Sequence, residues 1–223
     1  MKLYHGSQNI IKCPQYGYGK KYNDYGYGFY CTENIDMAKE WAVSLDKDGY
    51  ANIYELNIDS LDILNLNDEK YCMLHWLAIL LENREFEVNS PLGFEAKEYI
   101  RNNFLVEYRN KDIIIGYRAD DSYFSFAQDF INGVISYRQL CNAMYLGKLG
   151  EQIVLKSKKA FNKIKFLDYE IAFSNEWFLK RNSRDKEARR EYFNIERNKR
   201  KKGDIYIINI IDEEMKSNDE RLR

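Results

Sequence analysis

Gly26-Tyr27-Gly28-Phe29-Tyr30 is the stretch that decides between two α/β architectures for this chain. Two glycines one residue apart suggest a phosphate-binding turn, but a dinucleotide fingerprint needs a third glycine and must open a helix. Here the pair runs into a brief strand over 29–32, which speaks against a doubly wound parallel sheet. Upstream, residues 2–5 form a short strand ended by Gly6-Ser7. Residues 13–28, rich in Tyr, Gly and Lys, show neither a period of two nor one of 3.6, and so predict a mobile loop. Downstream, residues 33–43 have helical spacing, with Ile35, Ala38 and Ala42 on one face and Trp41 beside them.

The rest of the chain continues this mixture. Residues 52–59 alternate, Tyr54, Leu56 and Ile58 against Glu55, Asn57 and Asp59, as a half-buried strand does. Helices are predicted over 68–82, 92–104 and 136–144, and a compact strand over 112–117 around Ile113-Ile114-Ile115. Asp120-Asp121-Ser122 offers a cap for a helix through Phe130, a plainer role for the two carboxylates than catalysis. Gly147 and Gly150 bracket Leu149 before a strand that starts at Glu151 and continues through Ile153-Val154-Leu155, and Ile164 and Phe166 alternate with Lys163 and Lys165 in another. Short strands interrupted by helices at irregular spacing predict an α+β fold with mainly antiparallel pairing.

Beyond Ser174 the composition shifts. Residues 176–202 hold eleven basic side chains against five acidic ones, a net of +6. They predict a helix, followed by an apolar, strand-like stretch over 204–211. The expected organisation is therefore one domain over 1–173 and a basic, mainly helical extension over 174–223. The bland account of the basic segment is a solvated helix face; the sharper one is a surface that steers nucleic acid.

Composition narrows the function classes. The 223 residues, 45% of them hydrophobic, suffice for one large core, and 34 basic against 35 acidic side chains give no overall bias toward nucleic acid or an anionic membrane. Cys13, Cys31, Cys72 and Cys141 lie far apart and form no metal or redox pair, so reduced and mostly buried thiols are expected. His75 sits in the apolar run 73–81 as a packed helix residue, which leaves His5 and rules out a histidine-rich metal site. That run is too short to span a bilayer, and the first residues lack the apolar core of a signal peptide. A cytoplasmic protein without membrane or metal is the expectation.

Three segments then carry a resemblance. Tyr4-His5-Gly6-Ser7 resembles the first-strand HG[ST] motif of the diphtheria-toxin-like and poly(ADP-ribose)-polymerase-like ADP-ribosyltransferases, whose signature is His, Tyr and Glu on three separate strands. Gly26-Tyr27-Gly28-Phe29-Tyr30 resembles their G-x-G-[IF]-Y motif, and Glu151-Gln152-Ile153-Val154-Leu155 their E-x-I-V strand. With Gly116-Tyr117-Arg118-Ala119-Asp120-Asp121 the combination is similar, more narrowly, to a bacterial family of unknown function suspected of toxin activity. The likeness spans residues 2 to about 156 and keeps the motifs in order. It implies a split antiparallel β-core with inserted helices, NAD as co-substrate, and transfer of ADP-ribose to a protein or nucleic-acid acceptor. It further implies a toxin of a toxin–antitoxin or anti-phage system, with an antitoxin partner.

The chemistry gives each residue a task. Breaking the bond between nicotinamide and ribose leaves an oxocarbenium-like sugar, the charge that glycosidases also stabilise. Glu151 would accept a hydrogen bond from the ribose 2′-hydroxyl and stabilise that charge, and losing such a group costs about 10²- to 10³-fold in rate. The ring of Tyr30 would wall a slot for the nicotinamide, worth about 0.5 to 2 kcal/mol toward its cation. By the resemblance, Trp41 is the second wall and His5 orients a ribose hydroxyl. Gly6, beside Ser7, lets its backbone reach the carboxamide because no Cβ stands in the way.

Departures from the family pattern qualify this. Ala38 stands where many polymerase-like relatives carry a serine that bonds the carboxamide, Leu149 removes the ExE pattern of arginine-specific transferases, and His5 replaces their first-strand arginine. Arginine side chains are thus a disfavoured acceptor. Each residue also has a plain alternative: His5 a surface histidine, Tyr30 and Trp41 core aromatics, Glu151 a solvated strand end. The Tyr/Lys-rich stretch 16–22 is read first as a flexible lid over NAD and second as a base-stacking surface. An NAD glycohydrolase using water and a non-enzymatic binding module remain rivals. A tRNA 2′-phosphotransferase lacks its arginine and histidine pattern here.

Overall fold

A computed structural model describes the chain except for Asn89, Asp120 and residues 147–149, and leaves out the side chains of Asp121, Ser122, Ile195 and Glu196. The expected cap at Asp120-Asp121 and the position of Leu149 lie outside the described residues. Among the described residues, seven strands form two sheets. In the first, β1 (Lys2–Ser7), β3 (Gly49–Leu56) and β7 (Ile164–Ala172) run antiparallel in the order β1-β3-β7. In the second the order is β2-β6-β5-β4, from β2 (Phe29–Cys31), β6 (Glu151–Leu155), β5 (Ile113–Tyr117) and β4 (Ile63–Asn65). The pairing is antiparallel except for β4 on β5, a short parallel edge strand that the sequence pattern did not reveal. The α+β class with mainly antiparallel pairing is what the sequence predicts.

One bridge joins the sheets. Tyr4 and Thr32 exchange both backbone hydrogen bonds, at 2.8 and 2.9 Å, and among the described residues β1 and β2 share no further backbone pair. The second sheet is buried on both faces. Ile114 and Val154 face a helical layer made by α2 (Met73–Asn83), α3 (Pro91–Phe104), α4 (Asp121–Ile131) and α5 (Tyr137–Tyr145). Phe29, Cys31, Ile113, Ile153 and Leu155 face Leu3, Tyr54 and Leu56 of the first sheet. A strand covered on both sides reads as a continuous apolar run, which is why Ile113-Ile114-Ile115 and Ile153-Val154-Leu155 show no alternation.

Helix α1 (Ile35–Ala42) starts where Asn34 Oδ1 accepts from the backbone N–H groups of Asp36 and Met37 at 2.9 and 3.3 Å. It packs across β1 and β3 on two glycines. A Cβ on Gly6 would collide with the Ala38 carbonyl oxygen, and one on Gly49 with the Ala42 carbonyl oxygen. Helix α6 (Lys158–Phe161) leads into β7, and the chain then enters α7 (Ser174–Glu191) and a π-helical turn, Tyr192–Glu196.

Two expectations need correction. The apolar stretch over 204–211 is not a strand: α8 (Ile207–Asp212) is helical, its first turn closed by a bond from Tyr206 N–H to Asn209 Oδ1 at 2.9 Å, with Ile207 and Ile210 buried. Nor is segment 13–28 free throughout. It has no regular structure, but Asp24 and Tyr25 are buried, the Tyr25 hydroxyl donates to the Tyr117 carbonyl at 2.8 Å, and Lys156 Nζ donates to the carbonyls of Tyr25 and Tyr27. The break between 173 and 174 falls between β7 and α7, yet Ala188, Tyr192, Ile207, Ile210, Met215 and Leu222 share one core with α2 to α5.

Candidate functional site

Where β1 and β2 part, a cavity of about 1190 Å³ opens, and His5, Gly6, Ser7, Tyr30 and Trp41 all line it. His5 lies on β1 with its ring stacked on Phe29, centroids 4.3 Å apart. Its Nδ1 is 2.7 Å from the carbonyl oxygen of Tyr30. A carbonyl can only accept, so Nδ1 carries the proton, and burial holds the pKa of the ring below its ordinary value. The imidazole is therefore neutral, with the Nε2 lone pair as its remaining hydrogen-bonding group.

Tyr30 uses its hydroxyl locally. It donates to the Gly26 carbonyl at 2.6 Å and accepts from Tyr25 N–H at 3.1 Å, and burial pushes its pKa well up. What it offers a ligand is a fixed ring face rather than an acid or base. The turn that holds it needs Gly26, whose φ of 72° is a left-handed conformation.

Gly6 has two constraints. Its Cα faces α1, as above. In an antiparallel ladder alternate residues turn their N–H and C=O groups to the same edge. Tyr4 points these groups at Thr32, so Gly6, two residues on, points its own past the end of that bridge, toward the side where β2 has left β1. Ser7 follows with its hydroxyl accepting from Asn9 N–H at 3.1 Å. Asn52, fully buried on β3, donates to the carbonyls of His5 and Asn9 and accepts from Ile11 N–H at 2.8 Å, which fixes the segment after β1.

Trp41 enters from α1 with the Arg118 guanidinium 4.2 Å from its ring centre, and its buried indole N–H has no hydrogen-bond partner among the described residues. Ala38, where a carboxamide-binding serine would stand in the family pattern, is fully buried under β1. Below the aromatic walls lies a carboxylate that sequence reasoning missed. Asp24 accepts from Arg84 Nη1 at 2.9 Å, Ala119 N–H at 2.9 Å and Gln152 Nε2 at 2.7 Å. Burial pushes its pKa up against these donors. The only signal for it was a lone carboxylate in an otherwise Tyr/Gly/Lys-rich segment.

Glu151 is the predicted residue that the structure does not bring to the cavity lining. It opens β6 opposite Tyr117, is exposed, and its pKa is raised by partial burial and then by the Glu33 carboxylate. Its neighbour Gln152 lines the cavity instead. By the period of two, Tyr30 pairs with Val154, so Gln152 shares the Tyr30 face, while Glu151 shares the face of Ile153 and its partner Cys31. That second face is also the one on which Phe29 meets His5, two strands away.

The lining also includes Lys20 and, from α7, Arg181, Asn182, Asp185 and Arg189. With Arg84 and Arg118, five cations face two carboxylates, Asp24 and Asp185.

Residues 1–166 match the model of a family described as Protein of unknown function (DUF3990). The chain belongs to that family. No curated protein and no solved structure matches it. The matched part of this DUF3990 protein contains every predicted site residue, His5, Gly6, Ser7, Tyr30, Trp41 and Glu151, whereas the α7 wall of the cavity lies beyond it. Among the described residues no helix is long and apolar enough to cross a membrane, and no cluster of three or more His, Cys, Asp or Glu side chains is arranged to hold a metal.

Proposed function

We propose that this DUF3990 protein binds NAD in the cavity between β1 and β2 and transfers ADP-ribose from it to a macromolecular acceptor, releasing nicotinamide. The observation that carries this is the pairing of His5 with Tyr30. One short hydrogen bond fixes the tautomer that leaves Nε2 as an acceptor for a ribose hydroxyl, beside a tyrosine ring whose own hydroxyl is already satisfied. The free edge of Gly6 supplies an N–H and a C=O in the complementary order a carboxamide needs, and Trp41 supplies a second aromatic surface. The cationic excess of the lining suits a pyrophosphate. The three motif strands, β1, β2 and β6, are neighbours, as a His-Tyr-Glu transferase requires.

In this reading Glu151 accepts the 2′-hydroxyl of the ribose and stabilises the charge that develops as the glycosidic bond breaks. A toxin role with a cognate antitoxin, and a cytoplasmic setting, follow from the resemblance of the motifs. The test is incubation of the protein with labelled NAD and cell lysate, then separate protease and nuclease digestion of the product. Label removed by one of them identifies the acceptor class. Free ADP-ribose without labelled polymer makes the protein an NAD glycohydrolase, and no turnover of NAD at all refutes the enzyme.

One observation favours a second reading. Gln152 rather than Glu151 lines the cavity, as expected of a non-enzymatic module that binds a nucleotide and breaks no bond. Such a module retains NAD intact, and Glu151→Ala leaves its cellular effect unchanged.

A further inference from the structure

We propose that Arg181 on α7 binds the pyrophosphate of the dinucleotide, so that a segment outside the family match completes the substrate site; this rests on the NAD reading above. Three arginines of α7 lie at the cavity or its supporting wall, and their ion pairs separate them. Arg184 is committed to the fold: its Nε and Nη2 donate to the buried Glu40 at 2.9 and 2.7 Å and pin α7 to α1. Arg189 is compensated within the helix, its Nε 3.0 Å from Asp185 Oδ2. Arg181 lines the cavity, is half-buried, and has neither an ion pair nor a hydrogen bond to any described residue.

The other charges around the cavity leave the same balance. Arg84 is neutralised by Asp24, and Arg118 stacks on Trp41. Asp24 and Asp185 are both spent on arginines. Lys20, from the loop before β2, is the second cation of the lining without a partner among the described residues. With Arg181 and Lys20 left without a partner among the described residues, and both carboxylates of the lining already paired, the cavity favours an anionic ligand, because a partly desolvated guanidinium gains most from a charged acceptor. Arg181 presents a planar fork that takes two phosphate oxygens at once, and Lys20 a point charge. Asn182, next to Arg181 in the same lining and with no side-chain hydrogen bond to a described residue, adds a neutral amide donor.

The test uses the full chain, with ADP-ribose followed by calorimetry and adenosine, a phosphate-free probe, followed by ligand-observed NMR. Arg181→Gln should weaken ADP-ribose about tenfold to a hundredfold, the worth of a charged hydrogen bond, and leave adenosine unchanged. Arg181→Lys should recover part of the loss. Wild-type affinity for ADP-ribose in Arg181→Gln overturns the assignment and leaves the NAD reading standing. Equal loss of adenosine and ADP-ribose in both variants makes Arg181 a structural residue and also overturns it. Loss of a single-stranded oligonucleotide but not of ADP-ribose moves Arg181 to an acceptor site and overturns it as well. A wild-type protein that binds neither ADP-ribose nor NAD removes the NAD reading itself, and this assignment with it.

Discussion

Gly6→Ala should destabilise the protein more than a methyl added at a glycine with open space around it, such as Gly203. The new Cβ would sit inside the van der Waals shell of the Ala38 carbonyl oxygen and 2.8 Å from both Ala42 N and Trp41 Cβ. Two of these three atoms are helix backbone and the third is anchored directly to it, so no flexible side chain can yield. Helix α1 must withdraw from β1 by roughly an ångström, opening the packing around Ala38 and Ala42, which are 0% and 1% exposed. Overpacking of this kind costs about 3 kcal/mol. At about 2–4 °C per kcal/mol for a domain of this size, the melting temperature should fall by roughly 6–12 °C. The control is Gly203→Ala. Gly203 has φ 85° and nothing within 4 Å of an added Cβ, so it reports left-handed strain alone, about 1–2 kcal/mol. Calorimetric or urea melts of the two variants in parallel decide the matter: Gly6→Ala melting with or above Gly203→Ala refutes the claim that a close helix approach dictates glycine here.

Three further outcomes are expected. Asn52→Ala removes a fully buried amide that holds the segment after β1, so it should cost about 2–4 kcal/mol in urea and speed amide exchange at Ile11; unchanged exchange there contradicts the role. Arg84→Met leaves the buried Asp24 carboxylate without its cation and should cost about 3 kcal/mol, part of it recovered in the double variant with Asp24→Asn; full additivity of the two changes would mean that the pair is not coupled. His5 has a folded pKa below its ordinary 6.5, so the unfolded chain binds more protons in the window just below that value. Stability should therefore be fully present above about pH 6.5 and decline as pH falls through the window to the folded pKa. His75 is lowered too and contributes in the same direction, so the melting temperature of His5→Gln should depend on pH less steeply than that of wild type but not lose the dependence. An identical slope removes His5 from the linkage.

How far the sequence could be read depended on whether a residue answers to its neighbours in the chain or to distant ones. Helices α3 and α5 were legible because their caps are local: Ser90 accepts from Gly93 N–H, and Ser136 forms a reciprocal pair with Gln139. Their apolar faces also recur at helical spacing. The three site strands were legible through their motifs. The segment over 204–211 was misread because five isoleucines in a short run fit a buried strand and a buried helix equally, and the helix core beneath them made the choice. Asp24 and Tyr25 were read as loop because their partners, Arg84, Ala119, Tyr117 and Gln152, are 60 or more residues away. The α7 wall was hidden for the same reason. Charge composition marked the segment as basic but could not tell Arg184, which holds Glu40, from Arg181, which lines the cavity.

The period of two along β6 turns the choice between enzyme and binding module into one measurable contrast. Adjacent residues of a strand face opposite sides, so Glu151 and Gln152 cannot both serve the same wall in one register. If the chemistry belongs to Glu151, Glu151→Gln should lower NAD turnover about 10²- to 10³-fold with little change in NAD affinity, because the lost interaction exists mainly in the transition state. Gln152→Ala should act differently: it removes a donor to buried Asp24 and should lower stability and NAD affinity together. A binding module reverses the first expectation, since Glu151 then touches nothing that matters while Gln152 still supports the cavity floor. Measuring affinity and turnover for the two neighbouring substitutions therefore assigns the function to one face of a single strand. Equal effects of both changes on both quantities would contradict the strand register on which either reading depends.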